Sequence, residues 1–460
     1  MFNIKGASLT RFSIAALLLA ALSWNNAAPA QFMRPSAAAP VGAAGNFPRP
    51  VAFSYPMVYQ YAFWGFSMLS MNVLLPCAAA AAVLMLAAGA RADDLKVLIG
   101  NSISGADRGF RLAHFNTDTG ALTPPALAAP SDHCSYFAIT PDGKHLYTTN
   151  EISNFGGVPN MGAISAFALD PQTGRLTPLN QQPSGGASPA YISLDKTGHF
   201  VLVANYTGNA VRGEGGTVAV FALKPDGSLG DRTGFDQHKG AGPNPARQRQ
   251  AYAHSIITDP SNKFALSADL GLDKVFVYKF DQTTGTIAPN DPPFAALKAG
   301  TGPRHMAFHP NGKILYVAQE MGSMITALTW DSNKGALTPF QEISMLPADF
   351  KGTSTAAEIK VLPNGKWLYA SNRGHDSIAQ FAIDPATFQL TFVAATPSGG
   401  QTPRNFEFSP DLKWMLVANH GNNAVATFKI DPATGNLTPS GTPLTVESPF
   451  CTRFIPVPTP

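Results

Sequence analysis

Residues 310–337 read Pro310-Asn-Gly-Lys-Ile-Leu-Tyr-Val-Ala-Gln-Glu-Met-Gly-Ser-Met-Ile-Thr-Ala-Leu-Thr-Trp-Asp-Ser-Asn-Lys-Gly-Ala-Leu337. The opening Pro-Asn-Gly-Lys is a hairpin turn, because Asn and Gly supply positive φ at little cost. The apolar run Ile314-Leu-Tyr-Val-Ala318 behind it is strand-like. The stretch closes on Gly335-Ala-Leu337, a turn that ends one strand pair and begins the next.

Both turns recur along the chain. The hairpin returns as Pro141-Asp-Gly-Lys144 and Pro363-Asn-Gly-Lys366, with weaker forms at Lys196-Thr-Gly198, Pro260-Ser-Asn-Lys263 and Pro410-Asp-Leu-Lys413. The second turn returns at Gly120-Ala-Leu122, Gly174-Arg-Leu176, Gly227-Ser-Leu229, Gly285-Thr-Ile287 and Gly435-Asn-Leu437, with a degenerate copy at Phe388-Gln-Leu390. That makes seven copies, spaced 47 to 58 residues apart. Each unit is a four-stranded antiparallel sheet of blade size, and the repeat predicts an all-β, seven-bladed β-propeller. The inner hairpins number only six, so one inner strand is missing from the series. Cys451-Thr-Arg-Phe454 aligns with Cys134-Ser-Tyr-Phe137, which makes the C-terminal strand the inner strand of the blade begun by Leu95–Gly100. The ring is then closed by the C-terminal strand, and no open sheet edge remains.

Composition divides the chain at one point. No Asp or Glu precedes Asp93, and residues 1–92 hold five basic groups, Lys5, Arg11, Arg34, Arg49 and Arg91. Of 32 basic and 29 acidic residues in all, 27 and 29 fall in residues 93–460, a formal charge of −2. The basic balance therefore belongs to the leader and implies no nucleic-acid partner. Residues 1–31 have the form of an export signal, and a second apolar run, Val73–Ala90, ends in Ala90-Arg91-Ala92, a small-x-small cleavage pattern. Either translation starts at Met68 or Met71 and the run is cleaved, or it stays as a membrane anchor. The expected division is a leader over 1–92 and the propeller over 93–460, exported to the periplasm or secreted, with membrane contact only if the leader is kept. The propeller is expected to be a monomer. Cys134 and Cys451 remain after the leader, either bridged or as two free thiols.

In a propeller, residues just before the first strand of each blade and just after the second converge at one mouth of the channel. Counting from each hairpin proline, these positions bring together His254, Arg304, His305, Glu320, Glu358, Arg373, Arg404 and Arg453. Arginine forks suit a carboxylate or phosphate, and the Glu and His residues are candidate acids and bases. Arg–Glu and Arg–Asn pairs also serve as mortar between blades. The Asn series after the second strands (Asn150, Asn205, Asn372, Asn419) reads as structural, His145 and His309 as solvated hairpin residues, and Trp330, Trp367 and Trp414 as blade packing. The sequence has no Gly-x-Ser-x-Gly elbow, phosphate-cradling Gly loop or His-Glu-x-x-His motif.

The stretches Gly300-Thr-Gly-Pro-Arg-His-Met306, Ile343-Ser-Met-Leu-Pro347, Ala357-Glu-Ile359, Tyr369-Ala-Ser-Asn-Arg-Gly374 and Thr402-Pro-Arg-Asn-Phe406 resemble the seven-bladed propeller lactonase family. That family includes propeller-type 6-phosphogluconolactonases and a fungal carboxy-muconate cyclase. The resemblance implies a mouth site of His254, Arg304 and Glu320 with a second arginine, Arg373. Where relatives often have Pro-His-x-His, this chain has Ala251-Tyr-Ala-His254. The expected activity is hydrolysis of a sugar lactone carrying a carboxylate or phosphate, with no metal or organic cofactor. Catalysis would use His254, Arg304 and Glu320, with His305, Glu358, Arg373, Arg404 and Arg453 binding substrate. Glu320 or His254 would activate the water, and Arg304 would meet the oxyanion. A non-catalytic binding propeller and a muconate-type cyclase are the alternatives. Export disfavours a phosphorylated sugar, which is a cytoplasmic metabolite.

Overall fold

The computed structural model describes residues 94–105, 108–208 and 215–456. The expected leader and its cleavage pattern lie outside the described residues. Seven four-stranded antiparallel sheets are present, together with a small two-stranded hairpin at Asn154–Phe155 and Val158–Pro159. Five sheets use strands consecutive in sequence, and blade 1, starting at Phe137–Ile139, is interrupted only by that small hairpin; blade 6 ends at Leu437–Thr445. Blade 7 takes its innermost strand, Pro449–Phe454, from the C-terminal end and its other strands from Asp94–Asn101, Phe110–Asn116 and Ala126–Ala129. The closing pair runs Val97 opposite Phe454 and Gly100 opposite Cys451, as the unequal turn counts predict. Cys134 and Cys451 are both buried free thiols, and burial pushes the Cys134 thiol up to about 12.

Why the outer turn needs its glycine is visible between blades. Gly335 has φ +65°, and a Cβ there would collide with the Phe264 ring of the preceding blade. Gly435 likewise sits against Trp367. The degenerate copy keeps the backbone without the glycine, since Phe388 adopts φ +59°. It lies at a joint where the Tyr316 hydroxyl donates to its carbonyl at 2.8 Å. Tyr147 and Tyr369 donate in the same way to Gly227 and Gly435. These bonds tie blades 1, 4 and 5 to the outer turn of the next.

The apolar core is divided into layers between neighbouring blades. Tyr316, Ala318, Leu368, Ala370 and Phe381 fill the space between blades 4 and 5, and Val97, Ile99, Trp414, Leu416 and Phe454 that between blades 6 and 7. Trp330 and Trp414 are buried in such layers, as expected. His309 differs from expectation. It is buried, its ring lies 3.1 Å from the Gly365 carbonyl of blade 5, and it accepts a hydrogen bond from the Asn311 N–H. Its hairpin is therefore packed on the neighbouring blade and not merely solvated. The Asn series is structural: the Asn205, Asn372 and Asn419 amides donate to the Ser184, Met345 and Ser398 carbonyls. Blade 3 breaks the series with Asp269. Its Oδ1 accepts the N–H groups of Tyr252, Gly271 and Leu272, and its Oδ2 meets His238 Nδ1 at 2.6 Å.

Candidate active site

The inner strands place two consecutive side chains toward the mouth because they are bulged. In blade 4, Pro303 pairs with Gln319 and His305 with Ala318, leaving Arg304 without a partner. The same step leaves out His254 in blade 3 and Arg404 in blade 6. In blade 5, Ala357 and Glu358 together stand opposite Ser371. A bulge re-aims side chains in this way and recurs beside active sites.

These bulges assemble an ionic cluster around Glu320. Arg304 Nε and Arg373 Nη2 each lie 3.0 Å from Glu320 Oε2, and Arg247 Nη2 lies 2.5 Å from Oε1. His254 Nε2 is 3.9 Å from Oε2, beyond hydrogen-bond length but close enough to feel the charge. The cluster spans blades 3, 4 and 5. A second layer lies beneath it, where His305 Nδ1 meets Glu358 Oε1 at 3.0 Å. Tyr136 and Asn405 donate to Glu358 Oε2. His305 Nε2 is 3.1 Å from Arg304 Nη1. Arginine only donates, so Nε2 accepts and the proton sits on Nδ1, facing Glu358. A small cleft, with a cavity volume of about 10 Å³, is walled by Arg304, His305, Arg404, Tyr136 and Glu151.

A model of the seven-bladed β-propeller lactonase family matches residues 96–454. The chain belongs to this family. It is 33% identical over 305 residues to a 6-phosphogluconolactonase of Bacillus subtilis, covering 66% of this chain and 82% of that protein. A 6-phosphogluconolactonase of Formosa agariphila is 30% identical over 299 residues, covering 64% and 80%. The structure of the Pseudomonas aeruginosa periplasmic gluconolactonase superposes with a TM-score of 0.72 at 30% identity, covering 79% of this chain and 99% of that one.

The electrostatics of this propeller lactonase separate its histidines from its carboxylates. Burial opposes charge on Glu320, but Arg373 and Arg304 outweigh it and hold the carboxyl well below its ordinary range. Burial likewise opposes charge on Glu358, and His305 outweighs it, its Nδ1–H donating to the carboxylate. Burial, reinforced by Arg304, drives His254 well below 6.5. Burial and Arg304 lower His305 to about 4. Burial and Arg373 lower Arg304 to about 9, which leaves it charged at neutral pH. At pH 7 the site therefore holds two carboxylates, two neutral imidazoles and several guanidinium groups.

Most of the sequence-predicted residues meet here. His254, Arg304, Glu320 and Arg373 form the cluster, His305 and Glu358 the layer below, and Arg404 lines the cleft with its guanidinium 4.2 Å from the Phe450 ring centre. Arg453 does not join them. It covers the Tyr136 ring from the hairpin side and pairs with Glu407 at 3.0 Å. Arg247 escapes the repeat count, because it sits on a loop between blades 2 and 3 that has no counterpart in the series. The one available signal is the basic run Arg247-Gln-Arg249 shortly before His254. Two stacked tyrosine pairs, Tyr136–Tyr191 and Tyr206–Tyr252, also wall the site against His305 and His254.

Proposed function

We propose that this lactonase-family protein hydrolyses the ring ester of a sugar lactone at the Glu320 cluster. One observation carries the reading. Two buried nitrogens there, His254 Nδ1 and Arg373 Nε, have no hydrogen-bond partner. Buried groups left without a partner in the protein are candidates for meeting a bound water or ligand. Both side chains lie within 4 Å of the same carboxylate oxygen, Glu320 Oε2. A neutral imidazole and a guanidinium group around one carboxylate can together serve the addition of water to a carbonyl.

In the proposed reaction, a water oxygen attacks the lactone carbonyl carbon while His254 Nδ1 takes its proton. The carbonyl oxygen becomes an oxyanion held by the Arg373 N–H, with Arg304 adding positive charge. Collapse breaks the ring C–O bond, and the imidazolium returns the proton to the departing alkoxide. The product is a hydroxy acid, which ionises. Glu320 serves as a positioning residue: its two oxygens are occupied by three guanidinium groups, so it is a poor base. It orients Arg304 and Arg373, and its charge favours the imidazolium that forms transiently on His254.

The leader-like residues 1–92 and the likeness to a periplasmic gluconolactonase support export of the mature domain, residues 93–460, and hence an extracytoplasmic substrate. The test is a panel of aldonolactones, with spontaneous hydrolysis subtracted. Wild type should turn over at least one, and His254→Asn should lower kcat by about 10²-fold or more with folding intact. A wild type inactive on every lactone would favour a ligand-binding propeller without turnover.

A further inference from the structure

Glu320 is surrounded by more positive charge than it can neutralise. Arg247, Arg304 and Arg373 all reach its carboxylate, so one negative charge faces three positive ones. The nearby Glu358 is occupied by His305, Asn405 and Tyr136. Guanidinium groups packed this closely repel one another, and the repulsion is relieved when an anion joins them.

The three arginines differ in depth. Their side chains are 3% (Arg304), 13% (Arg373) and 41% (Arg247) exposed, so they run from the floor of the cluster out to solvent. The inner two have further attachments, since Arg304 Nη1 donates to the Ala357 carbonyl and Arg373 Nη2 to the Ala356 carbonyl. Arg247 reaches Glu320 through Nη2, with Tyr206 beside it. Its loop is well fixed. Asn244 Oδ1 accepts the Arg247 N–H, Gln248 is buried and donates to the Leu270 carbonyl, and Gln250 donates to the Thr207 carbonyl. A firmly held loop thus offers a half-exposed guanidinium group at the outer end of the row.

We infer that Arg247 sets substrate specificity: it receives the anionic end, phosphate or carboxylate, of a lactone whose carbonyl lies deeper against Arg304 and Arg373. This rests on the cluster being the lactone site. An arginine fork takes either anion at two points, while Nη2 keeps Glu320 in place. A lactone ending in a hydroxymethyl group gives Arg247 no charge to meet.

The experiment compares the full chain with Arg247→Ala on three substrates: glucono-δ-lactone, its 6-phosphate, and a carboxylate-ended aldarolactone. Loss of a charge-assisted contact should lower kcat/KM about 10- to 100-fold, through KM, on one or both anionic lactones. The neutral lactone should lose markedly less, so the readout is the ratio of anionic to neutral kcat/KM. Arg247→Lys should restore part of the loss, and which anion suffers more tells phosphate from carboxylate. Equal losses on all three substrates would mean that Arg247 only steadies Glu320, and no loss on any would remove it from the site; either result overturns the assignment. Should the wild type open no lactone, calorimetric titration with 6-phosphogluconate and an aldarate decides the matter independently. Binding present in the wild type and lost in Arg247→Ala keeps the anion role although the lactonase reading fails. Absent or equal binding ends it.

Discussion

Glu320 and His254 sit on opposite sides of a protonation contrast that the whole site depends on. Glu320 stays ionised because Arg373 and Arg304 outweigh its burial, and His254 stays neutral because burial and Arg304 outweigh Glu320. Replacing the carboxylate by an amide leaves three guanidinium groups around a neutral side chain. Glu320→Gln should therefore destabilise the protein by about 3–5 kcal/mol, the range for breaking a buried ion pair, and lower turnover as well. Denaturant midpoints and kcat on the same variant check this; unchanged stability would show that the arginines do not need the charge. The pH dependence follows from the same contrast. Two histidines held below 6.5 take up protons more readily in the unfolded chain, so stability should fall as pH drops from about 6.5 toward 4. Below about 4.5 the unfolded carboxyls protonate while Glu320 and Glu358 resist, and the fall should steepen. A urea midpoint that stays flat between pH 7 and 5 would contradict neutral, buried His254 and His305. At this scale most of the site was legible, because counting from hairpin prolines fixes which residues reach the mouth. Arg247 was not, since a loop outside the repeat has no register to count. Arg453 was misplaced because the alignment of Cys451 with Cys134 is two residues out. Phe450 is the bulged residue, Pro449 pairing with Asn101 and Cys451 with Gly100, so Arg453 lies two residues farther along its strand than His305 does along its own.

Among elements, the blades differ from one another where the chain departs from its own pattern. Turns were legible because Gly335 and Gly435 are required both by positive φ and by the aromatic ring against them. Bulges were not, because an unpaired residue is a property of two strands and leaves no mark in either alone. The most informative departure is Asp269, which stands where four other blades have Asn. Its Oδ1 gathers three backbone N–H groups at the entry to the His254 strand, and its Oδ2 faces His238, whose Nε2 lies 2.7 Å from the Tyr278 hydroxyl. That hydroxyl in turn donates to Asp236. Asp269→Asn keeps the oxygen for the backbone. Its amide can also donate to His238 Nδ1 while Nε2 donates to Tyr278, so no group is stranded. The cost should be below about 1.5 kcal/mol. Asp269→Ala strands three N–H groups and the imidazole, at about 1–3 kcal/mol for each group left unsatisfied. Chemical denaturation of the pair measures the difference. If Asn and Ala cost the same, the carboxylate charge is what matters and the backbone bonds are not.

For the molecule as a whole, ring closure was legible from a miscount, seven outer turns against six inner hairpins, which left a place for the C-terminal strand. That strand, Pro449–Phe454, is a small part of the chain with a large mechanical role. It pairs along Asp94–Asn101, so its removal exposes the inner edge of blade 7 to the channel. It also brings Phe454 into the layer shared with Val97, Ile99, Phe115 and Trp414, and Cys451 and Ile455 into the layer against blade 1. Burial of Phe454 and Ile455 alone corresponds to about 1.5–3 kcal/mol each, before any loss of strand pairing. Blades 1 and 6 would then face a gap on one side. Truncation after Glu447 should therefore yield an aggregating protein or one whose melting midpoint is lowered by many degrees. Supplying residues 448–460 as a peptide should restore part of the loss, because the missing piece is a strand and not a domain. Size-exclusion profiles and thermal melts of the truncated protein, with and without peptide, read this directly. A soluble truncated protein that melts cooperatively at the parental midpoint would show that the other six blades hold the ring without its closing strand.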